Sequence, residues 1–177
     1  MYINKEKLLS IVTPICPEVQ TYEFNNQLSI IIPKEKLVAV ATELRDNNET
    51  KFEQLRDITA IDWLRPKDRF EVVYFLISLT NHFRLRIKVP IDEKSINCPT
   101  LTTVWEAANW YERETYDMYG IKFDGHPDLR RFYMPEDYVD PESGEPLYPL
   151  RKDFPLMGVP NSLPLPPYPE KYGETTK

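Results

Sequence analysis

Eleven of the 17 prolines in this 177-residue chain lie at or after Pro127. Each proline fixes φ near −65° and removes a backbone donor, so a segment this dense in proline is neither helix nor central strand. The final stretch, GVPNSLPLPPYPEKYGETTK, is the extreme case. The prolines therefore divide the chain into a compact domain, residues 1–120, and an extended arm, residues 121–177. Such an arm has little core of its own and gains order by lying on a partner.

The compact part carries alternating helical and strand patterns. Asn4 predicts an N-cap for a helix with Leu8, Leu9, Ile11 and Val12. VQTYEF and LSIII flank Asn25-Asn26-Gln27 and predict a hairpin. Pro33 stands at the start of a helix whose Leu37, Val38, Ala41 and Leu44 recur at helical spacing up to Asn47-Asn48. ITAIDWL reads as a strand. FEVVYFLISL and FRLRIKV read as a second hairpin across Thr80-Asn81-His82, with His82 as a turn residue. In residues 83–89, Phe83, Leu85, Ile87 and Val89 alternate with Arg84, Arg86 and Lys88, which predicts a half-exposed strand with a basic outer face. Thr103-Val-Trp-Glu106 fits a capping box and predicts a helix running to about Tyr119, stopped by Gly120. The expected order is α-β-β-α-β-β-β-α, a layered α+β domain.

Composition narrows the function. The net charge of −6 and pI near 5.1 disfavour nucleic-acid binding, because phosphate binding needs concentrated Lys and Arg. No apolar run reaches the roughly 18 residues that span a bilayer, and MYINKEKLLSIVTPIC is too interrupted by charge for a signal peptide. The expected location is the cytoplasm, or the cytoplasmic face of something larger. Cys16 and Cys98 form neither a disulfide framework nor a zinc or iron–sulfur spacing, and His82 and His126 advertise no further ligands. None of the five glycines builds a dinucleotide fingerprint, a P-loop or a nucleophile elbow, so no cofactor is expected in this chain.

The chemistry-bearing residues gather in WYERETYDMYGIKFDGHPDLRRF, residues 110–132. Drawn on a helix, Glu106, Trp110, Arg113 and Asp117 share one stripe, and Trp105, Glu112, Tyr116 and Tyr119 another. Charges and aromatics go nearly all round, which predicts cover on more than one side. Three readings use these residues. One is a solvated helix with an Arg113–Asp117 pair at i,i+4, worth a few tenths of a kcal/mol. Another is a carboxylate pair for acid/base hydrolysis. The third is an interface, since Arg, Tyr and Trp anchor protein contacts. In that reading Arg130, after the Gly125-His126-Pro127 turn, reaches back toward Glu112, Glu114 and Asp117 or across to a partner. His126 is then a turn or hydrogen-bonding residue. Arg151, Lys152 and Asp153, between Pro149 and Pro155, are expected to have few internal partners and to dock the arm.

The segment also resembles a known signature: Glu112-Arg113-Glu114, Asp117, Met118-Tyr119, His126, Arg130 and Phe132 follow its spacing throughout. The flanking AANWYERE, YGIKFDGHPDLRR and YPLRKDFPL (148–156) agree. On these motifs the chain is identified as a member of the 30 kDa (NuoC-type) subunit family of respiratory complex I. The resemblance implies a two-layer α+β domain with a mixed sheet and an extended C-terminal arm. It implies a non-catalytic assembly subunit in the hydrophilic arm of a proton-translocating NADH:quinone oxidoreductase, peripheral on the cytoplasmic side of a bacterial inner membrane. The implied partners are the 49 kDa quinone-site subunit and the iron–sulfur subunits, with FMN and the clusters held by those partners. Glu112, Arg113, Glu114, Asp117, His126, Arg130, Arg131, Arg151, Lys152 and Asp153 are the expected partner-docking residues. Related subunits of ferredoxin-fed photosynthetic-type complexes and of membrane-bound hydrogenases carry the same signature, so the electron donor stays open.

Overall fold

The structure, a computed structural model, describes residues 3–155. Helix α1 (Lys5–Val12) starts where Asn4 Oδ1 accepts the Glu6 amide at 2.7 Å. Strands β1 (Gln20–Phe24) and β2 (Gln27–Ile31) meet across Asn25-Asn26, whose φ values of 50° and 59° are those of a tight two-residue hairpin. Asparagine tolerates this left-handed region better than most residues. After Pro33, a 3₁₀ turn (Lys34–Lys36) leads into α2 (Leu37–Asp46), which buries Leu37, Val40, Ala41 and Leu44 and stops at Asn47. Then come β3 (Gln54–Asp62), β4 (Phe70–Ser78) and β5 (Phe83–Ile91). His82, in the β4–β5 turn, has φ of 57°.

The sheet order is β1-β2-β5-β4-β3. All neighbours are antiparallel except β2 and β5, which run parallel, so the sheet is mixed. Its inner face presents Leu28 and Ile30, Phe70, Val72, Tyr74 and Leu76, and Leu85, Ile87 and Val89 to the helices; all belong to one core with Leu8, Leu37, Leu44 and Trp105. Pleating sends alternate residues to the other face. There Arg84 is exposed and Arg86, Lys88, Phe75 and Ile77 are half-buried. The expected two-layer α+β architecture, with the basic outer face of β5, is what the chain forms.

Two features depart from the expectations. Strands β6 (Asn97–Pro99) and β7 (Lys122–Asp124) form a small parallel ribbon, too short to read from pattern. Helix α3 spans Ala108–Tyr119, so the Thr103–Glu106 capping box does not form. The Val104 carbonyl, which a helix starting there would give to Ala108, instead accepts Arg45 Nη1 at 2.8 Å. Trp105 Nε1 is drawn to the Phe52 carbonyl (3.1 Å) and the Leu101 amide to Glu112 (2.7 Å). Three tertiary hydrogen bonds thus outweigh one local cap.

The core extends past residue 120, since Ile121 and Phe123 are buried in it. The chain then loops out and returns to the C-terminal end of α3. There the Leu150 amide donates to the Met118 carbonyl (3.2 Å) and Arg151 Nε to the Tyr119 carbonyl (2.6 Å). Expectations for residues 156–177 lie outside the described residues.

Gly120 joins these parts. Its φ of 75° ends α3, and a Cβ there would meet Arg151 Nη2 and Tyr148 Cζ at 2.5 Å. Gly120→Ala is expected to cost more than the roughly 1–2 kcal/mol of a left-handed non-glycine residue, because the return segment must also move. A lowered melting temperature, with trypsin cutting several-fold faster after Arg151 or Lys152, checks this; an unchanged cleavage rate would show that the segment is seated without Gly120.

Candidate docking site

Helix α3 buries Glu112, Arg113, Thr115 and Asp117 together with Ala108. A charge removed from water needs partners, and each charged residue has found a different kind. Asp117 is fully buried. Its Oδ2 accepts the backbone amides of Phe132 (3.0 Å), Tyr133 (2.6 Å) and Met134 (2.8 Å), and its Oδ1 accepts Arg131 Nη1 (3.1 Å). Arg131 in turn donates to the Leu147 carbonyl (3.2 Å) and lies over the Tyr148 ring (5.4 Å). One carboxylate therefore folds residues 131–134 against α3.

Glu112 is also fully buried, with no cation bonded to it among the described residues. Its carboxyl accepts the Leu101 amide (2.7 Å) and hydrogen-bonds with the Thr100 hydroxyl (2.6 Å), which contacts Thr102 Oγ1 (2.9 Å). Burial pushes its pKa up to about 7, against the opposing pull of the Leu101 and Thr100 hydrogen bonds. Nearby, the Tyr74 hydroxyl and the Cys98 thiol are 3.3 Å apart, and burial pushes Cys98 up to about 12, so it remains a thiol.

Arg113 does not form the pair with Asp117 that the solvated-helix reading offered, and Arg131 has taken that place. Its guanidinium lies over Trp110 (5.0 Å) and Phe132 (5.3 Å) and reaches the carbonyls of Arg130 and Arg131, each at 3.4 Å. Arg130 points outward and pairs with Asp128 at 2.9 Å, both well exposed. The residue reaching back to the α3 acids is thus Arg131, not Arg130. Glu114 is half-exposed. His126 Nδ1 accepts the Asp128 amide (3.0 Å), and Nε2 lies 3.1 Å from the Asn109 carbonyl, so the tautomer protonated at Nε2 satisfies both. It holds the turn.

Arg151, Lys152 and Asp153 have internal partners, contrary to expectation. Beyond its bond to Tyr119, Arg151 lies over the rings of Tyr148 (4.3 Å) and Phe70 (5.2 Å). The Lys152 amide, not its ammonium, donates to Asp62 Oδ2 (2.9 Å). Asp153 pairs with Arg69 Nη2 at 2.7 Å. Arg69 is buried; it also binds Glu93 and forks onto Asp62 through Nε (3.1 Å) and Nη2 (2.9 Å). Burial raises the Asp62 pKa, but Arg69 and the amides of Lys152 and Leu64 more than reverse this and hold it at about 2. Sequence reasoning missed Asp62, Arg69 and Glu93. Their only local mark is a charge at or just outside the end of a strand.

With Glu112 and Asp117 turned inward, this side presents aromatics outward. Trp110, Phe132 and Tyr133 are 56%, 43% and 58% exposed. Trp110 and Phe132 lie 5.2 Å apart and Phe132 and Tyr133 4.5 Å apart, with Arg113 fixed behind them. Among the described residues no three His, Cys, Asp or Glu side chains gather to hold a metal ion.

A family profile described as respiratory-chain NADH dehydrogenase, 30 Kd subunit, matches residues 30–160. The C-type subunit of the NADH-quinone oxidoreductase of Roseiflexus sp. (strain RS-1) is 47% identical over 134 residues, which is 76% of this chain and 73% of the relative. Two solved structures share the fold. The trypsin-resistant fragment (1–134) of Nqo5 is 31% identical with a TM-score of 0.58, covering 70% of this chain and 98% of that one. A chain in the structure of the membrane-bound sulfane sulfur reductase, an archaeal respiratory membrane complex, is 28% identical with a TM-score of 0.66, covering 86% of each.

Proposed function

Since the chain belongs to the family of 30 kDa subunits of respiratory-chain NADH dehydrogenase, we propose that it is a non-catalytic assembly subunit of the hydrophilic arm of a proton-translocating NADH:quinone oxidoreductase. It packs on the 49 kDa quinone-site subunit and near the iron–sulfur subunits, on the cytoplasmic side of a bacterial inner membrane. FMN and iron–sulfur clusters belong to those neighbours. No described helix is long and apolar enough to cross a membrane.

The observation that carries this reading is the exposed Trp110–Phe132–Tyr133 cluster backed by Arg113. The two fully buried acids behind it, Glu112 and Asp117, spend their carboxyl groups on contacts within the chain. Trp, Tyr and Arg are the types that dominate interface energetics. Trp110→Ala and Tyr133→Ala are each expected to weaken assembly about tenfold or more, because a hot-spot truncation costs roughly 2 kcal/mol or more. Activity divided by the amount of intact complex on native gels should stay within twofold of wild type. Full assembly with turnover per complex reduced tenfold would place this segment in the reaction path instead.

The likeness to a chain of the sulfane sulfur reductase supports a second reading, an equivalent subunit in a complex fed by another donor such as ferredoxin. Reduction of quinone by NADH in the purified complex separates the two.

A further inference from the structure

We propose that the outer face of the five-stranded sheet is a second docking surface, built to receive an acidic amphipathic segment of a neighbouring subunit. It rests on membership in a multi-subunit complex, and it concerns the side opposite the helices.

Three observations meet there. The first is charge. Arg56, Arg84 and Arg86 line one concavity of about 390 Å³, and none has a carboxylate partner among the described residues. Among the described residues the Arg86 side chain makes only a 3.4 Å bond to the Gln27 carbonyl. Elsewhere Arg45, Arg69, Arg130 and Arg131 pair with carboxylates, and Arg65, Arg113 and Arg151 lie over aromatic rings. In a chain of net charge −6, three arginines on one face with neither a carboxylate nor a ring beside them among the described residues form a local exception. The second is the floor. Phe75 lies opposite Arg86, and Ile77 opposite Arg84, in the β4–β5 register, and both remain half-buried on a face that no described helix covers. The third is Ser29, which lies beside Arg86 in the β2–β5 register. It is fully buried, yet its hydroxyl has no partner among the described residues. Buried hydroxyls are normally bonded.

These features select the occupant. Guanidinium groups pair bidentately with carboxylates, and an apolar side chain fits between them over Phe75 and Ile77. A nucleic acid suits the face poorly. Asp57 also lines the concavity, Lys88 on the same face is neutralised by Glu71 at 2.8 Å, and the chain as a whole repels a polyanion.

The test places a photo-reactive benzophenone amino acid at Ile77 of the affinity-tagged full chain. The complex is purified and irradiated, and cross-links are mapped by mass spectrometry. The expected product joins Ile77 to a stretch of another subunit rich in Asp and Glu. Arg84→Glu with Arg86→Glu should cut its yield per complex at least fivefold, and Arg84→Gln with Arg86→Gln should cut it less. The proposal is overturned by cross-links only to RNA, only to residues 156–177 of this chain, or to no other polypeptide, while other subunits still co-purify. If the wild-type chain co-purifies with no other subunit, the assembly reading fails as well.

Discussion

Asp117→Ala is expected to destabilise the isolated chain by on the order of 3–5 kcal/mol, the usual cost of breaking a buried ion pair by removing one partner. The substitution strands Arg131, whose side chain is 8% exposed, and leaves the amides of Phe132, Tyr133 and Met134 without their acceptor. Asp117→Asn keeps the volume but should recover little. An amide has one acceptor oxygen, and its NH₂ group must face either Arg131 or the three backbone donors. Urea unfolding of the three proteins measures this. A loss below about 1 kcal/mol for Asp117→Ala, the level of a single ordinary hydrogen bond, would mean that the 131–134 segment is held by its aromatics.

Glu112→Gln should act in the opposite direction, and only at higher pH. The free carboxyl titrates near 4.5, and in the fold it keeps its proton up to about 7, because burial penalises the charged form. A carboxyl with a raised folded pKa contributes stability that is complete below about 4.5 and is lost as pH climbs through about 7. That gap corresponds to about 3 kcal/mol, at roughly 1.4 kcal/mol per pH unit. Glutamine is neutral at every pH. Its oxygen accepts the Leu101 amide and its nitrogen donates to Thr100 Oγ1. The variant should therefore match wild type near pH 4 and exceed it by up to about 3 kcal/mol near pH 8.5. Asp62, with its pKa held at about 2, acts on the acid side, where its contribution is lost as pH falls through that value. Unfolding curves for both proteins at the two pH values decide the matter. A parallel decline in both would remove Glu112 as the cause.

The parts of the fold legible in the sequence are those decided within a few residues. The Asn25-Asn26 hairpin, α2 with its stop at Asn47, and the alternation of β5 all depend on local backbone preference and on which face is wet. The start of α3 was not legible, because Arg45 and Phe52 decide it from more than fifty residues away. The same holds for the site. The acids of α3 stand out in sequence, but Asp62 and Arg69 meet residues 152 and 153 across some eighty to ninety positions. Arg130 and Arg131 are indistinguishable as neighbours in a string. In non-helical backbone successive side chains point to opposite sides, and only the placement of Asp117 decides which one turns inward.

The parallel pairing of β2 with β5 also dictates an order of events during synthesis. Ser29 aligns with Arg86 and Ile31 with Lys88, so the seam joins residues 57 positions apart in the chain. The strands between them pair with their sequence neighbours, β3 with β4 and β4 with β5. The N-terminal hairpin therefore has no sheet to join while the ribosome is still making residues 54–91. Local pairings close quickly and distant ones bear the larger entropy of loop closure. The β3–β4–β5 meander is the natural template, and the hairpin that emerges first is the last piece of the sheet to find its place.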